Sequence, residues 1–328
     1  MAAFTAKDVA ALRERTGAGM MDCKKALTQC EGDVEKAIDF LREKGLAAAA
    51  KKAGRIAAEG IVADYRGENA SAIVEVNCET DFVAKTDKFK DFVKTVAKQV
   101  VEANPASVEE LMASKIGDET VEAMLNTAVA GIGEKISIRR FVRLEGAVDT
   151  YIHLGGRIGV IAQFDKEGDK EAMHDVALQI AAANPICVDV NHLPADVMAH
   201  ERAIQLAKAK EENAASAKPK PDAIVEKMVD GRMSKYYKEV CLDEQQFVKD
   251  QNLTIKQMLA AKRGLKVLQF VRYEMGEGLQ KREDNFADEV MSQMKKKDLH
   301  DTKSSFQRGC FFCLYRTSKL AHIHADGA

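Results

Sequence analysis

The sequence of 328 residues contains no tryptophan and only five prolines, and aromatic residues make up just 6% of the chain. Its core is therefore expected to consist mainly of Ala, Val, Ile and Leu. The scarcity of proline, together with many Ala, Lys and Glu residues, favours a helix-rich protein. The charges nearly cancel, with 49 Lys plus Arg against 51 Asp plus Glu. Because no global field of one sign results, the composition gives no indication of nucleic-acid or membrane binding.

Long apolar runs are also lacking. No stretch approaches the length of a membrane span, and the first residues do not show the basic-then-apolar pattern of a secretory signal. The seven cysteines are odd in number and mostly scattered, which is typical of a reduced cytoplasmic protein rather than of a disulfide framework. A chain of this length is expected to fold into two or more domains. We therefore expect a cytoplasmic protein of several domains.

The first fifty residues predict three short helices. Thr5 and Asp8 have the spacing of a capping box at the start of the first helix. A second helix is expected over about 22–29. Asp33 is the expected N-cap of a third helix, which should end at Gly45. The pattern resembles the ubiquitin-associated fold, a small binding module.

Two methionines lie in the turn that we expect before the second helix. Met20 and Met21 follow Gly19 directly. Two interpretations are open, because methionine is common in cores and also suits adaptable contact surfaces. The Ala- and Lys-rich stretch 47–55 is expected to be a helical or flexible linker.

The rest of the chain contains an internal repeat. Glu, Gly, Val and Tyr recur at the same offsets in one pair of segments, and six of ten positions are identical in another. The repeated pairs are 59–65 with 145–151, 96–105 with 176–185, and 141–145 with 270–274. Each copy predicts a strand, a turn, a second strand, a helix and a further strand. Two similar α+β subdomains are therefore expected, each an antiparallel sheet covered by helices.

The second copy is interrupted by a polar, helix-forming insertion. One helix is expected over about 194–212, and a second returns through Ile224 and Met233. Two helices joined by a short loop predict an antiparallel hairpin that projects from the body. Its apolar side is either satisfied within the hairpin or available for association.

The predicted fold class is thus α+β: an N-terminal three-helix bundle, then two similar sheet-plus-helix subdomains, the second interrupted by a projecting helical hairpin. The expected boundaries are 1–54 for the three-helix domain, 55–145 for the first core subdomain, 146–186 with 231–280 for the second, 187–230 for the hairpin, 281–296 for a C-terminal helix, and 297–328 for a disordered extension.

The stretch 75–85 combines the end of a buried strand with a polar turn and one large aromatic residue, Phe82. The helix that follows is expected to begin at Thr86, a natural N-cap, and Phe82 lies outside its apolar stripe. Phe82 is therefore either a core plug or a wedge offered to a partner. The spacing from Tyr65 to Val96 exceeds the equivalent spacing in the second copy by six residues. Since the extra residues fall around Phe82, they favour the functional interpretation.

Four segments together carry a resemblance to a known family. They are residues 12–27, 75–85, 156–160 and 226–233. They resemble bacterial elongation factor Ts, the guanine-nucleotide exchange factor of elongation factor Tu. The similarity extends from residue 1 to about residue 296.

The resemblance implies a protein without covalent chemistry and without a cofactor. It would bind elongation factor Tu in its GDP-bound and nucleotide-free forms, displace Mg²⁺ and rearrange the phosphate-binding loop, and would bind neither nucleic acid nor membranes directly. The second core subdomain would grip the third domain of the partner, and the hairpin would support a homodimer in some members. The residues implied near the nucleotide site are Thr80, Asp81, Phe82 and Val83. Those implied in the N-terminal contact are Arg13, Thr16, Gly17, Ala18, Gly19, Met20 and Met21.

Other functions remain open from the sequence. The N-terminal bundle alone would suit a ubiquitin-type or general protein-binding adaptor with no exchange activity. An enzyme is the other class, but no histidine shows a recognisable pairing with Cys or Ser. Residues 297–328 contain cysteines and histidines, the residue types that most often bind zinc. Their spacing differs from that of the usual zinc fingers, so they are weak metal candidates. These residues are Cys310, Cys313, His322 and His324.

Overall fold

The computed structural model describes residues 4–280 apart from 17, 217 and 263. The expected C-terminal helix 281–296 and the extension 297–328, with the metal candidates Cys310, Cys313, His322 and His324, lie outside the described residues. Within the described part, helices combine with antiparallel sheets, so the expected α+β class is confirmed. No helix of that part is both long and apolar enough to cross a bilayer.

The helices and strands follow one another in three groups. The N-terminal group consists of α1 (Ala6–Thr16), α2 (Met20–Gln29) and α3 (Val34–Lys52). The first unit consists of β1 (Glu59–Arg66), β2 (Ala70–Cys78), α4 (Asp81–Ala84), α5 (Asp87–Ala103), α6 (Val108–Ala113), β3 (Lys115–Ile116), β4 (Glu119–Thr120), α7 (Val121–Ile132) and β5 (Ile136–Glu145). The second unit consists of β6 (Val148–His153), β7 (Ile158–Phe164), α8 (Lys170–Ala183), α9 (Ala195–Ala214), α10 (Asp222–Val240), β8 (Gln246–Phe247), β9 (Asp250–Thr254), α11 (Ile255–Ala261) and β10 (Val267–Glu274).

The N-terminal helices pack as expected around a small core. The Thr5 amide donates to Asp8 Oδ2 at 2.7 Å, and the Asp8 amide donates to Thr5 Oγ1 at 3.4 Å, so the capping box is formed. Leu12 and Leu27 are fully buried in this bundle. The second helix, however, begins at Met20 rather than at residue 22, with Gly19 as its N-cap.

The third helix is longer than predicted. It does not end at Gly45 but continues through the expected linker to Lys52. One glycine costs a helix about 1 kcal/mol, and the alanine run after Gly45 has the highest helix propensity, so the helix continues. Gly45 also allows a close approach to α7, because a Cβ added there would lie 3.4 Å from the Asn126 carbonyl oxygen.

The repeat predicted from the sequence is present in the two sheets. Each has three antiparallel strands, in the orders β1-β2-β5 and β6-β7-β10. Val62 in β1 pairs with Glu75, and Val148 in the equivalent strand β6 pairs with Gln163. Val62 and Val148, which correspond in the repeat of 59–65 with 145–151, thus both lie in an edge strand of their sheet.

The covering helices end in the same way in both units. Asn104 after α5 and Asn184 after α8 both adopt the left-handed conformation, at φ 48° and 46°, and each is followed by proline. Asparagine tolerates this conformation, and proline cannot continue a helix. The Asn-Pro pairs therefore end both helices at equivalent positions.

The two sheets pack against each other, and α5 and α8 cover their outer faces. The residues buried between the sheets include Val62, Ile73, Leu144 and Ile161. At one end, the Val62 amide donates to the Gly156 carbonyl at 2.7 Å. This bond joins the β6–β7 turn to β1 across the two units.

The insertion forms the expected antiparallel helical hairpin of α9 and α10. Its seam buries Ala209, Val225, Val229 and Met233. The second helix, α10, continues beyond Met233, the last buried residue of the seam, to Val240, where the chain rejoins the second unit.

Candidate functional site

Phe82 lies on a one-turn helix, α4, rather than on the loop that the sequence predicted. Its side chain is 79% exposed. The core-plug interpretation is therefore wrong, because a side chain so exposed fills no space inside the protein. The following helix, α5, has Thr86 as its N-cap, as expected.

Capping explains why α4 forms and why Phe82 points outward. Thr80 has extended backbone angles, and its Oγ1 accepts a hydrogen bond from the Val83 amide at 3.3 Å, which makes it the N-cap. Val83 and Ala84 pack on the core of the first unit. Because these two neighbours face inward on a single turn, Phe82 is left on the opposite, solvent side.

Glu134 fixes the base of α4 from a distant part of the chain. Its carboxylate accepts hydrogen bonds from the Glu79 amide at 3.1 Å, the Thr80 amide at 3.0 Å and Thr80 Oγ1 at 2.7 Å. In return, Glu79 Oε1 accepts a bond from the Lys135 amide at 2.6 Å. The turn before α4 is thereby joined to the start of β5. The hydroxyl of Thr80 is used inside the protein and is not a free group for a partner.

Asp81 places a negative charge beside the exposed ring. Lys85 Nζ lies 2.6 Å from Asp81 Oδ2 and 5.9 Å from the centre of the Phe82 ring. The hydrogen bond from Lys85 holds the pKa of Asp81 below its usual value, and desolvation opposes this only in part. Asp81 is therefore ionised at neutral pH, and the exposed aromatic ring is accompanied by an ion pair between Asp81 and Lys85.

The thiol beneath α4 is inert. Cys78 is buried, and its Sγ donates to the Thr80 carbonyl at 3.1 Å. Burial, with a smaller effect of the Glu134 charge, raises the pKa of Cys78 to about 12. Because reactivity requires the thiolate, Cys78 belongs to the support of the site and offers no nucleophile.

The second unit has no equivalent of α4. Residues 165–169, which connect β7 to α8, form only bends and extended chain. Since the two units otherwise share strands, covering helix and helix end, α4 is an addition to the common pattern rather than part of the fold. The six extra residues in the sequence were the signal that identified it.

The predicted N-terminal contact residues divide into exposed and internal ones. Met20 and Met21 are 45% and 63% exposed, so the core-packing interpretation is wrong for both. Thr16 Oγ1 donates to the Leu12 carbonyl at 2.7 Å and accepts from the Ala18 amide at 3.4 Å. The residues whose side chains or backbone face solvent are Arg13, Gly19, Met20 and Met21; Thr16 and Ala18 are partly buried, and Gly17 lies outside the described residues.

A buried ionic group that the sequence did not single out lies at the start of the same segment. Glu75 is fully buried in β2. Its carboxylate accepts hydrogen bonds from Arg140 Nε at 2.6 Å, the Gly276 amide at 2.8 Å and Arg139 Nη1 at 3.0 Å. A bulge in β5 lets the two consecutive arginines reach the same carboxylate. The signal in the sequence was one charged residue inside a mainly apolar strand.

The partners of Glu75 determine its charge. Burial alone would raise the pKa of Glu75, but the hydrogen bond from Gly276, followed by those from Arg140, Asn77 and Arg139, outweighs burial and lowers it. Glu75 therefore remains a carboxylate, and it ties β2 to the chain that follows β10.

Within the described residues, no group of three or more His, Cys, Asp or Glu side chains is arranged to hold a metal ion. The chemistry available at α4 is thus that of a contact surface: one aromatic ring, a flanking ion pair and a rigid base.

In a comparison with protein families, the model described as "Elongation factor TS" matches residues 79–277, more than half of the chain.

Proposed function

The chain belongs to the elongation factor Ts family, and we propose that it binds elongation factor Tu and promotes the exchange of GDP for GTP on that partner. The family role is that of a translation elongation factor and nucleotide-exchange factor. The proposal adds the mechanism: α4 enters the partner near its nucleotide site and disturbs the Mg²⁺ and the phosphate-binding loop. The observation that carries it is the 79% exposed Phe82 on a helix of the first unit that has no equivalent among the described residues of the second.

A wedge of this kind can act without touching the nucleotide. Bound GDP is held largely by Mg²⁺ and by backbone amides around its phosphates. A ring inserted beside these elements separates the groups that position the metal. Burying one Phe contributes roughly 1.5–3 kcal/mol, which corresponds to about one to two decades in affinity. The rigid support from Glu134 matters because an ordered α4 loses little entropy on binding.

The ring alone is not sufficient to hold a strained partner, so a second contact is required. The exposed pair Met20 and Met21 at the start of α2 offers an adaptable apolar surface for this purpose. Arg13 and Gly19 complete that N-terminal contact. Thr80 and Val83 support α4 from inside, and Asp81, next to Phe82 in the chain, is a charged group that can reach the partner.

Exchange is then a consequence of linkage. If this protein weakens nucleotide binding to the partner, nucleotide weakens binding of this protein by the same factor. The exchange factor itself needs no nucleotide site. The glycine run 155–159 agrees with this, because it forms the turn between β6 and β7 and the start of β7 rather than a phosphate loop before a helix.

The test is the release of labelled GDP from elongation factor Tu with Phe82→Ala. We expect the rate of release to fall by about ten- to a hundredfold, following the burial energy of one Phe. The melting temperature of the free protein should stay within a few degrees of wild type, because an exposed side chain has little packing to lose. The matched control is Leu268→Ala, which removes another large apolar side chain that is 50% exposed; its exchange rate should match wild type.

Two outcomes would contradict the proposal. If folded Phe82→Ala catalyses release at the wild-type rate, Phe82 is not the wedge. If the wild-type protein binds elongation factor Tu but does not speed GDP release, the chain is a binding adaptor without exchange activity.

We also propose a homodimer through the helical hairpin, as the family resemblance suggests. Ile204 on α9 is 45% exposed although the seam of the hairpin is buried. Ile204→Asp should lower the sedimenting mass if this surface joins two copies. If the wild-type protein already sediments with the mass of a monomer, the homodimer is excluded.

A further inference from the structure

The helical hairpin leaves and rejoins the second unit through two chain segments that lie side by side, and each carries a cysteine. Cys187 and Cys241 form an isolated parallel bridge. The Leu242 amide donates to the Cys187 carbonyl at 2.9 Å, and the Asp243 amide donates to the Val188 carbonyl at 2.9 Å. We call these two segments, 186–188 and 240–243, the neck of the hairpin.

The two thiols in the neck are in position to react with each other. Their sulfur atoms are 3.6 Å apart and both side chains are buried. Neighbouring strands lie about 4.8 Å apart, which falls inside the range of about 4.4–6.8 Å that a disulfide needs between its Cα atoms. The bridge between the two residues and the short distance between their sulfur atoms are thus compatible with a disulfide, whose sulfur atoms lie about 2.05 Å apart.

We propose that Cys187 and Cys241 are a redox-sensitive dithiol that closes to a disulfide across the neck of the helical hairpin. The oxidant is a small disulfide of the oxidised-glutathione class. A thiolate of one cysteine attacks it, forms a mixed disulfide and expels one small thiolate. The second cysteine then attacks the mixed disulfide and expels the other. The two protons lost by the cysteines end on the two released small thiols, so the protein loses two electrons and the oxidant gains them.

The surroundings indicate how the reaction is controlled. The pair lies in an apolar cluster with Leu193, packed against Val190 and Tyr236. Burial raises the pKa of both thiols, that of Cys241 to about 12. Little thiolate exists while the neck is closed, so the first attack depends on transient opening of the neck. Cys187 is the less completely buried of the two and is the expected first nucleophile.

The closed disulfide would join the two ends of the whole insertion. The ring that it forms contains α9, α10 and the loop between them. Once the ring is closed, the neck can no longer separate, and the hairpin is held at one angle to the second unit. The switch therefore acts on the orientation of the hairpin, which is independent of α4 and of the proposed exchange mechanism.

The test uses the full chain with Cys310→Ser and Cys313→Ser, which removes the other closely spaced pair in the sequence. The protein is incubated with oxidised glutathione, remaining thiols are blocked, and peptides are mapped by mass spectrometry. We expect a Cys187–Cys241 cross-link within one chain that dithiothreitol reverses. Cys30, which is partly exposed, should carry glutathione and shows that the oxidant was active.

Hydrogen exchange measures the effect of the cross-link. In the oxidised protein, the amides of Leu242 and Asp243 should exchange at least about tenfold more slowly than in the reduced protein, because the neck no longer opens. The variant Cys187→Ala, which cannot form the cross-link, should show the same exchange at these amides before and after oxidation.

Three results would overturn the proposal. The first is that both cysteines stay free while Cys30 is modified. The second is that they carry separate glutathione adducts without a cross-link. The third is that they join two chains rather than one.

Discussion

Glu75 and Phe82 lie seven residues apart, and each occupies the environment that its side chain ordinarily avoids. Glu75 is fully buried and Phe82 is largely exposed. The buried carboxylate is stable because two guanidinium groups and the Gly276 amide satisfy it. Phe82 has a weaker counterpart in the Lys85 ammonium group 5.9 Å from its centre, and most of its surface lies in water. The buried charge is explained by the fold, whereas the exposed ring fills no space in the fold and is accessible for contact.

The burial of Glu75 predicts a large stability effect. Glu75→Ala leaves Arg139 and Arg140 without their shared carboxylate, and breaking a buried ion pair costs about 3–5 kcal/mol. Denaturant unfolding measures this free energy. The control is Glu145→Ala in the adjacent strand β5, where the carboxylate pairs with Arg143 but is mostly exposed; its cost should stay below about 1 kcal/mol. Equal costs for the two variants would show that Glu75 is not a structural tie.

The lowered pKa of Glu75 also predicts how the stability of the protein depends on pH in the acidic range. The pKa of Glu75 is lowered in the folded protein from a usual value of 4.5. Its contribution is therefore fully present above pH 4.5 and is lost as the pH falls through the lower folded pKa. The difference in unfolding free energy between wild type and Glu75→Gln should be constant above about pH 5.5 and shrink below 4.5. A difference that grows on acidification would contradict the assigned charge.

At the scale of elements, α4 depends on a residue that lies far away in the sequence. Thr80 caps the helix locally, but Glu134, which lies in the connection between α7 and β5, holds its base. Sequence patterns identify local caps, as they did for Thr5 and Thr86, because capping follows a fixed spacing. They do not identify Glu134, because nothing in the spacing of residues shows which carboxylate will reach two distant amides.

The dependence of α4 on Glu134 predicts that a substitution of Glu134 slows nucleotide exchange on the partner although the ring of Phe82 is unchanged. Glu134→Ala removes three hydrogen bonds from Glu79 and Thr80, so α4 should become less ordered before it binds. We expect faster amide exchange at Val83 and GDP release from elongation factor Tu slowed by about tenfold. Glu122→Ala is the control, since Glu122 is an exposed glutamate on the preceding helix, α7, which ends at Ile132. Slowed release with unchanged amide exchange would mean that Glu134 acts on the partner directly.

The repeat shows how far sequence similarity extends into structure. The Asn-Pro pairs at 104 and 184 lie in a repeated segment of the sequence, and in the structure they end both covering helices for local reasons, left-handed asparagine and proline. The hydrogen bonds made by two equivalent glutamines of the repeat were not predicted. Gln99 Nε2 donates to the Lys115 carbonyl at 3.1 Å, and Gln179 Nε2 donates to the Gln246 carbonyl at 3.2 Å. Each holds a small hairpin against its helix, although the segments before those hairpins differ completely in length.

At the scale of the whole molecule, the two units are joined where their sheets meet. The sequence predicted both sheets but not their packing, because alternation shows which face of a strand is buried and not what covers it. Glu75 with Gly276 forms one connection between the units. Gly156 forms another, since its carbonyl accepts from the Val62 amide and its Cα lies close to β1.

Substitutions at two neighbouring glycines distinguish the cost of backbone strain from the cost of crowding at this contact. Gly155 and Gly156 both have positive φ, at 66° and 101°. A Cβ at Gly155 would meet nothing within 4 Å, whereas one at Gly156 would lie 2.7 Å from Ile61 Cβ and 2.9 Å from the Val62 carbonyl oxygen. Gly155→Ala should therefore cost about 1–2 kcal/mol of unfolding free energy from strain alone. Gly156→Ala should cost about 1–3 kcal/mol more, because the added methyl overpacks the interface between the sheets.

Denaturant unfolding gives both costs, and amide exchange at Val62 locates the damage. In Gly156→Ala the Val62 amide should exchange faster than in Gly155→Ala, because the bond from Val62 to the turn is the one that the methyl displaces. Equal unfolding free energies for the two variants would show that the turn does not press against β1. The two units would then be held together mainly by Glu75 and by the apolar residues between the sheets.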